Sequence, residues 1–185
     1  ACVSPQRRRS SSSRPAGSAN SASALSSSTT TAPAASHPPA SADLPALLSF
    51  ELDNRAYFER WVTARAPSYY HQEAIAAAIE QAQRERQQDL AYQYLAKQDG
   101  QIIGRVNLTA VTRPYFNKAT LGYRIGERFG GRGYATRVVA LLLEEAFGTL
   151  ELWRVEATAR PQNLASIAVM QRNGFLQSDN TEKAM

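Results

Sequence analysis

Cysteine occurs once in the 185 residues, as Cys2, and histidine twice, as His37 and His71. A single cysteine excludes an internal disulfide and any cysteine-rich metal site. Without a Cys–His cluster a zinc centre has no ligand set, so no metal is expected. A Ser-His-Asp hydrolase would have to rest on one of two poorly placed imidazoles. Long apolar runs are also missing, and none approaches the roughly 18 residues of a membrane helix. No apolar segment near the start resembles the core of a secretory signal. These absences lead to the expectation of a soluble, cytoplasmic protein with no membrane partner.

Acidic residues are absent from the first 42 positions, which hold Arg7, Arg8, Arg9 and Arg14. The net charge of +5 therefore belongs mostly to this stretch. Beyond it, the remaining 17 of the 21 basic residues face all 16 acidic ones. A nearly neutral body does not argue for a nucleic-acid-binding face, and no specific nucleic-acid partner is expected. The stretch itself is Ser, Ala, Thr and Pro, a composition that cannot bury enough apolar surface to offset its ordering entropy. Residues 1–42 are read as a solvated tail, 43–175 as one folded domain, and 176–185 as a short polar tail.

Within the domain the hydrophobic period changes twice. Helical spacing begins near Asp43, a candidate N-cap, and runs through "LPALLSFELDNRAYFERWV". A second helix is expected over His71 to Gln88, with Ile75, Ala78, Ile79 and Ala82 on one face. The period then falls to two. "AYQYLAKQ" and "QIIGRVNLTAV" flank Asp99-Gly100, a strong hairpin signal, and Ala119 to Ile125 alternates as a third strand. A helix from Tyr134 to Phe147, a strand over "LWRVEATA" and a helix started by Asn163 and stopped by Gly174 complete the order. The reading is an α/β fold with a mixed sheet.

Between the third strand and its helix lies "ERFGGRGYAT", a loop rich in glycine and arginine. Glycine carries an entropic cost, so a cluster of it calls for a reason. Close approach of the backbone to a phosphate at a helix N-terminus is one. A Walker A loop is excluded because no Lys-Ser/Thr pair follows. A dinucleotide fingerprint starts at Gly131-x-Gly133, but Thr136 stands where its third glycine would be, and the preceding strands form a meander.

Arg128-x-x-Gly131-x-Gly133 before a helix, followed one strand later by "RPQNLASIAVMQRNGF", resembles the GNAT superfamily of acetyl-CoA-dependent N-acetyltransferases. "LGYRIGERFGGRGYAT" and "LWRVEATARPQN" are most similar to its ribosomal-protein N-terminal-alanine branch. The resemblance implies a mostly antiparallel mixed sheet flanked by helices. It also implies acetyl-CoA as co-substrate, and a primary amine as acceptor, such as the α-amino group of a ribosomal protein. A small amine, or a catalytically impaired acetyl-CoA-binding remnant, remains an alternative. By the same resemblance the cofactor would be held by Ile125, Arg128, Gly130, Gly131, Arg132, Gly133, Tyr134, Ala135 and Asn163.

An α-amine with a pKa near ~8 is mostly protonated at neutral pH, so a base assists transfer. Glu156 is the candidate, acting through water; its structural alternative is an ion pair with Arg154 or Arg124. Asn163 suits a helix N-cap. Many relatives place a general-acid tyrosine where this chain has Met170, and Asn163-x-x-Ser166 resembles the branch in which serine protonates the thiolate. Tyr123 and Tyr134 fit packing by their periodicity. The ends depart furthest from the family pattern. "TAPAASHPPAS" is too proline-rich for the expected first strand, and "LQSDNTEKAM" is too short for the last ones. The domain is expected to be incomplete at both ends.

Overall fold

The computed structural model describes residues 2–4 and 35–178. Most of the expected tail, residues 5–34 and 179–185, lies outside the described residues. Two strands nevertheless form inside 1–42: β1 (Cys2–Ser4) and β2 (Ala35–His37). The expectation that "TAPAASHPPAS" holds no strand is therefore corrected. Ala35–His37 pairs antiparallel with residues 95–97. A partner edge with free N–H and C=O groups outweighs weak intrinsic propensity over three residues, and Pro38-Pro39 stops it there.

Helix α1 (Leu44–Asp53) and the single-turn α2 (Arg55–Glu59) follow, then α3 (Gln72–Gln87). Pro67 opens a 3-10 turn over Pro67–Tyr70. Asp43 occupies the N-cap position of α1 but makes no capping bond there. Its carboxylate instead accepts from the Ala40 N–H at 2.9 Å and from Lys97 Nζ at 2.7 Å, with His37 Nε2 at 3.2 Å. These bonds fasten the chain after β2 to the sheet and hold the Asp43 carboxyl below its usual range, against the opposing effect of burial.

The meander is β3 (Tyr92–Gln98), β4 (Gln101–Thr112) and β5 (Lys118–Ile125), antiparallel throughout. Asp99 and Gly100 take φ of +50° and +78° at the hairpin turn, as the dipeptide signals. Next come α4 (Tyr134–Gly148), β6 (Arg154–Thr158), α5 (Leu164–Arg172) and β7 (Leu176–Ser178). The strand order is β2-β3-β4-β5-β6-β1-β7. Among the described residues the single parallel pairing is β5 with β6. Positions flanking the central strands are thus filled, though by strands of three residues each.

Strand alternation assigns the two faces. Tyr94, Val106, Leu121, Val155 and Ala157 pack with Val138, Val139 and Leu142 of α4 and Val169 and Met170 of α5. On the other face Leu95 and Ile102 pack with Leu47 and Phe50 of α1 and Ile75 and Ile79 of α3. Met170, standing in the expected tyrosine position, is core.

Candidate active site

The strands β5 and β6 pair in register from Lys118 opposite Arg154 to Leu121 opposite Ala157, and the pairing stops there. Beyond that point Gly122 to Ile125 and Thr158 to Arg160 line a cavity of about 620 Å³. Its walls come from both faces of the sheet. Tyr57, Phe58, Trp61 and Val62 lie on the α1–α2 side; Tyr134, Ala135, Asn163, Ser166 and Val169 lie on the α4–α5 side.

The glycine loop closes the α4 end. Gly131 and Gly133 hold φ of +71° and +80°, a region open to glycine and strained for other residues. A Cβ at either would meet nothing within 4 Å, so the space above the loop is free for a ligand. Gly133 is the N-cap of α4, whose first-turn amides have no intrahelical acceptor. Backbone of this shape suits a phosphate. The loop is positioned from behind. Asn54 Oδ1 accepts from the Glu127 N–H at 2.9 Å, Arg60 pairs with Glu127 at 2.9 Å, and Phe129 meets Tyr134 edge-on at 6.2 Å. The end of α5 is tied to the start of α4 by Asn173 Nδ2, which donates to the Thr136 carbonyl at 3.2 Å.

Of the residues named from sequence for the cofactor, Ile125, Gly130, Gly131, Gly133, Tyr134, Ala135 and Asn163 line the cavity. Arg128 lines a smaller neighbouring recess, and Arg132 is not among the lining residues of either. Asn163 is the N-cap of α5, its Oδ1 accepting from the Ser166 N–H at 3.1 Å. That bond caps the first turn, in which Ser166 lines the cavity.

Glu156 is placed differently. It does not line the cavity. Its carboxylate lies 2.8 Å from Arg154 Nε and 3.5 Å from Lys118 Nζ. It shares a face of β6 with Thr158, which does line the cavity, two residues or about 7 Å along the strand.

Two residues of β5 take partners that the sequence pattern does not give. Tyr123, whose periodicity fits packing, donates its hydroxyl to Ser166 Oγ at 3.3 Å inside the cavity. Burial raises its pKa, partly offset by that hydrogen bond, so it remains a protonated donor. Arg124 lines the opposite face, with Nη1 3.5 Å from Glu51 Oε2 and its guanidinium 5.3 Å above the Phe58 ring. Alternation along β5 predicts that 123 and 124 face opposite ways. Only the tertiary contacts show which partners they meet.

Residues 37–176 match the acetyltransferase (GNAT) domain family. The chain belongs to the GNAT family of acetyltransferases. Among its relatives, the probable N-acetyltransferase YjcK of Bacillus subtilis is 32% identical over 130 residues, 69% of this chain and 72% of the relative. The ribosomal-protein-S5-alanine acetyltransferase of Vibrio fischeri superposes with a TM-score of 0.74 at 23% identity, covering 77% of this chain and 79% of that one. Mycobacterium smegmatis RimJ, solved with CoA-disulfide, gives 0.69 at 24% identity, over 74% of this chain and 66%, just under two-thirds, of that one. Acetyl-CoA is the co-substrate of this family. Among the described residues no group of three His, Cys, Asp or Glu could hold a metal ion, and no helix is long and apolar enough to cross a membrane.

Proposed function

We propose that the protein transfers the acetyl group of acetyl-CoA to a primary amine, and that the amine is a protein N-terminal α-amino group. The observation that carries this reading is the cavity through the sheet, with a glycine cradle on one face and an aromatic wall on the other. The relatives' names, which include a ribosomal-protein alanine acetyltransferase, support the choice of acceptor. The loop amides from Arg128 to Ala135 hold the pyrophosphate, and Asn163 and Ile125 border the arm that carries the thioester.

Transfer needs a neutral amine and a protonated leaving thiolate. Ser166, in the capped first turn of α5, supplies the proton to sulfur. Glu156, on the acceptor face of β6, takes the amine proton through water. No Asp or Glu lines the cavity itself among the described residues, so a polycation acceptor finds no counter-charge there.

The test is thiol release from acetyl-CoA by the purified chain with a panel of amines, each product located by mass spectrometry. Acetylation at the α-amine of peptides beginning with Ala or Ser is expected. Exclusive acetylation of polyamines or lysine side chains would overturn the acceptor. Saturable coenzyme binding without turnover of any amine would favour the remnant reading, which the engagement of Glu156 by Lys118 and Arg154 keeps specific.

A further inference from the structure

We infer that Arg124 anchors a carboxylate of the acceptor, so that the amine acetylated belongs to a molecule bearing a negative charge near it. The inference rests on the acetyltransfer reading above and narrows its substrate class. It begins from a charge imbalance in the sheet. Glu51 is 1% exposed and has two arginines to neutralise. Arg105 takes one carboxylate oxygen at 2.5 Å and is further held by the Tyr69 hydroxyl at 2.8 Å and Gln93 Oε1 at 3.0 Å. Arg124 reaches the other oxygen only at 3.5 Å. Two guanidinium groups share one carboxylate, and Arg124 has the weaker claim.

A third cation adds to the imbalance: Arg65 lies 4.0 Å over the Tyr69 ring beside the same cluster. Burial, together with Arg65 and Arg105, holds Arg124 below the usual arginine range despite the attraction of Glu51. A partly buried cation so placed is stabilised by any anion that can reach it. The route to it is the cavity, which Arg124 lines and where no Asp or Glu is present among the described lining residues.

The coenzyme phosphates do not meet this need, because the glycine loop serves the α4 face and Arg124 is on the α1 face. The anion must arrive with the acceptor. Tyr57, Phe58, Trp61 and Val62 surround the same compartment, so the body of the acceptor next to its carboxylate is apolar or slender. A guanidinium also presents paired N–H donors that match a carboxylate better than a neutral amide. The carboxylate can come from an acidic side chain near a peptide N-terminus or from the C-terminus of a very short acceptor.

Two matched acceptor pairs separate these sources while leaving the amine alike: blocked peptides beginning Ala-Asp and Ala-Asn, and the dipeptide Ala-Phe with its C-terminal amide. A preference of about tenfold or more in kcat/KM for one acidic member is expected. Arg124→Gln should abolish the preference and Arg124→Lys retain part of it. Equal kcat/KM within both pairs on the parent protein overturns the inference while leaving acetyltransfer standing. Should no acceptor turn over, the acetyltransfer reading fails, and calorimetry of the CoA-loaded protein decides separately, with the C-terminal amides of N-acetyl-Ala-Asp and N-acetyl-Ala-Asn as one pair and N-acetyl-Ala-Phe and its amide as the other. Tighter binding of the acidic member of either pair supports the anchor; equal or absent binding within both pairs overturns it.

Discussion

The Tyr123 hydroxyl donates to Ser166 Oγ at 3.3 Å, joining β5 to the first turn of α5 across the cavity. A serine alone is a poor acid, and a neighbouring phenol that stays protonated can restore its proton as it gives one up. Ser166→Ala should slow turnover at least tenfold with little change in acetyl-CoA affinity. Tyr123→Phe should lower kcat more than it raises KM, and flatten the fall in rate at high pH, where the phenol of the parent ionises. Initial rates over pH 6 to 11 check both. An unchanged rate for Ser166→Ala removes the pair from the reaction.

Gly131 and Gly133 sit at positive φ with open space above them. Valine at either position strains the loop and occupies the approach of a phosphate. Each variant should lose acetyl-CoA binding by about a hundredfold or more while keeping most of its helical circular dichroism. Calorimetric titration measures the first, and parent-like affinity would place the cradle elsewhere.

Glu156→Gln distinguishes a base from an ion-pair partner of Lys118 and Arg154. If it accepts the amine proton, the loss in rate is greatest near neutrality and recovers as pH rises and solvent deprotonates the amine. A loss that is uniform across pH assigns the carboxylate to the strand pairing alone.

Asp43 carries a pH signature in stability. Its folded pKa lies below the ordinary 3.8 because Lys97, the Ala40 N–H and His37 favour the ionised form over the opposing effect of burial. A depressed carboxylate contributes stability that is present above the unfolded pKa and is lost as pH falls through the folded value. The parent should therefore melt above Asp43→Asn at pH 6. The gap should begin to narrow only as pH falls below 3.8 and close beneath the still lower folded value, as thermal melts on the acid side would show.

Glu51 is the buried charge of the α1 face. Glu51→Ala leaves Arg105 without its nearest carboxylate, and losses of about 3–5 kcal/mol are typical when one partner of such a pair is removed. Urea unfolding of the two proteins measures the difference. A change under about 1 kcal/mol would mean that water enters the cluster.

The helices and meander were legible because each depends on near neighbours: the face of Ile75 and Ile79, the Asp99-Gly100 turn, the alternation from Ala119 to Ile125. The glycine loop was legible because two motifs one strand apart constrain each other. Ala35–His37 was not, since its stability comes from the β3 edge and its own residues carry almost no strand preference. Asp43 sat where a cap belongs, but Lys97 lies far along the chain and took its carboxylate. Tyr123 and Arg124 show the same limit at the site. Period two separates their faces, while Ser166 and Glu51, the groups that give them roles, come from remote helices.

The gap between β5 and β6 has a kinetic consequence. Because donor and acceptor would enter from opposite faces, neither has to leave before the other binds. Initial-rate plots should intersect, as in a ternary-complex mechanism, and parallel lines should not appear. The same passage makes the two half-sites addressable by one molecule. A ligand that covalently bridges coenzyme A to the acceptor amine would thread the sheet, compete with both substrates at once, and gain from the effective concentration of each half near the other.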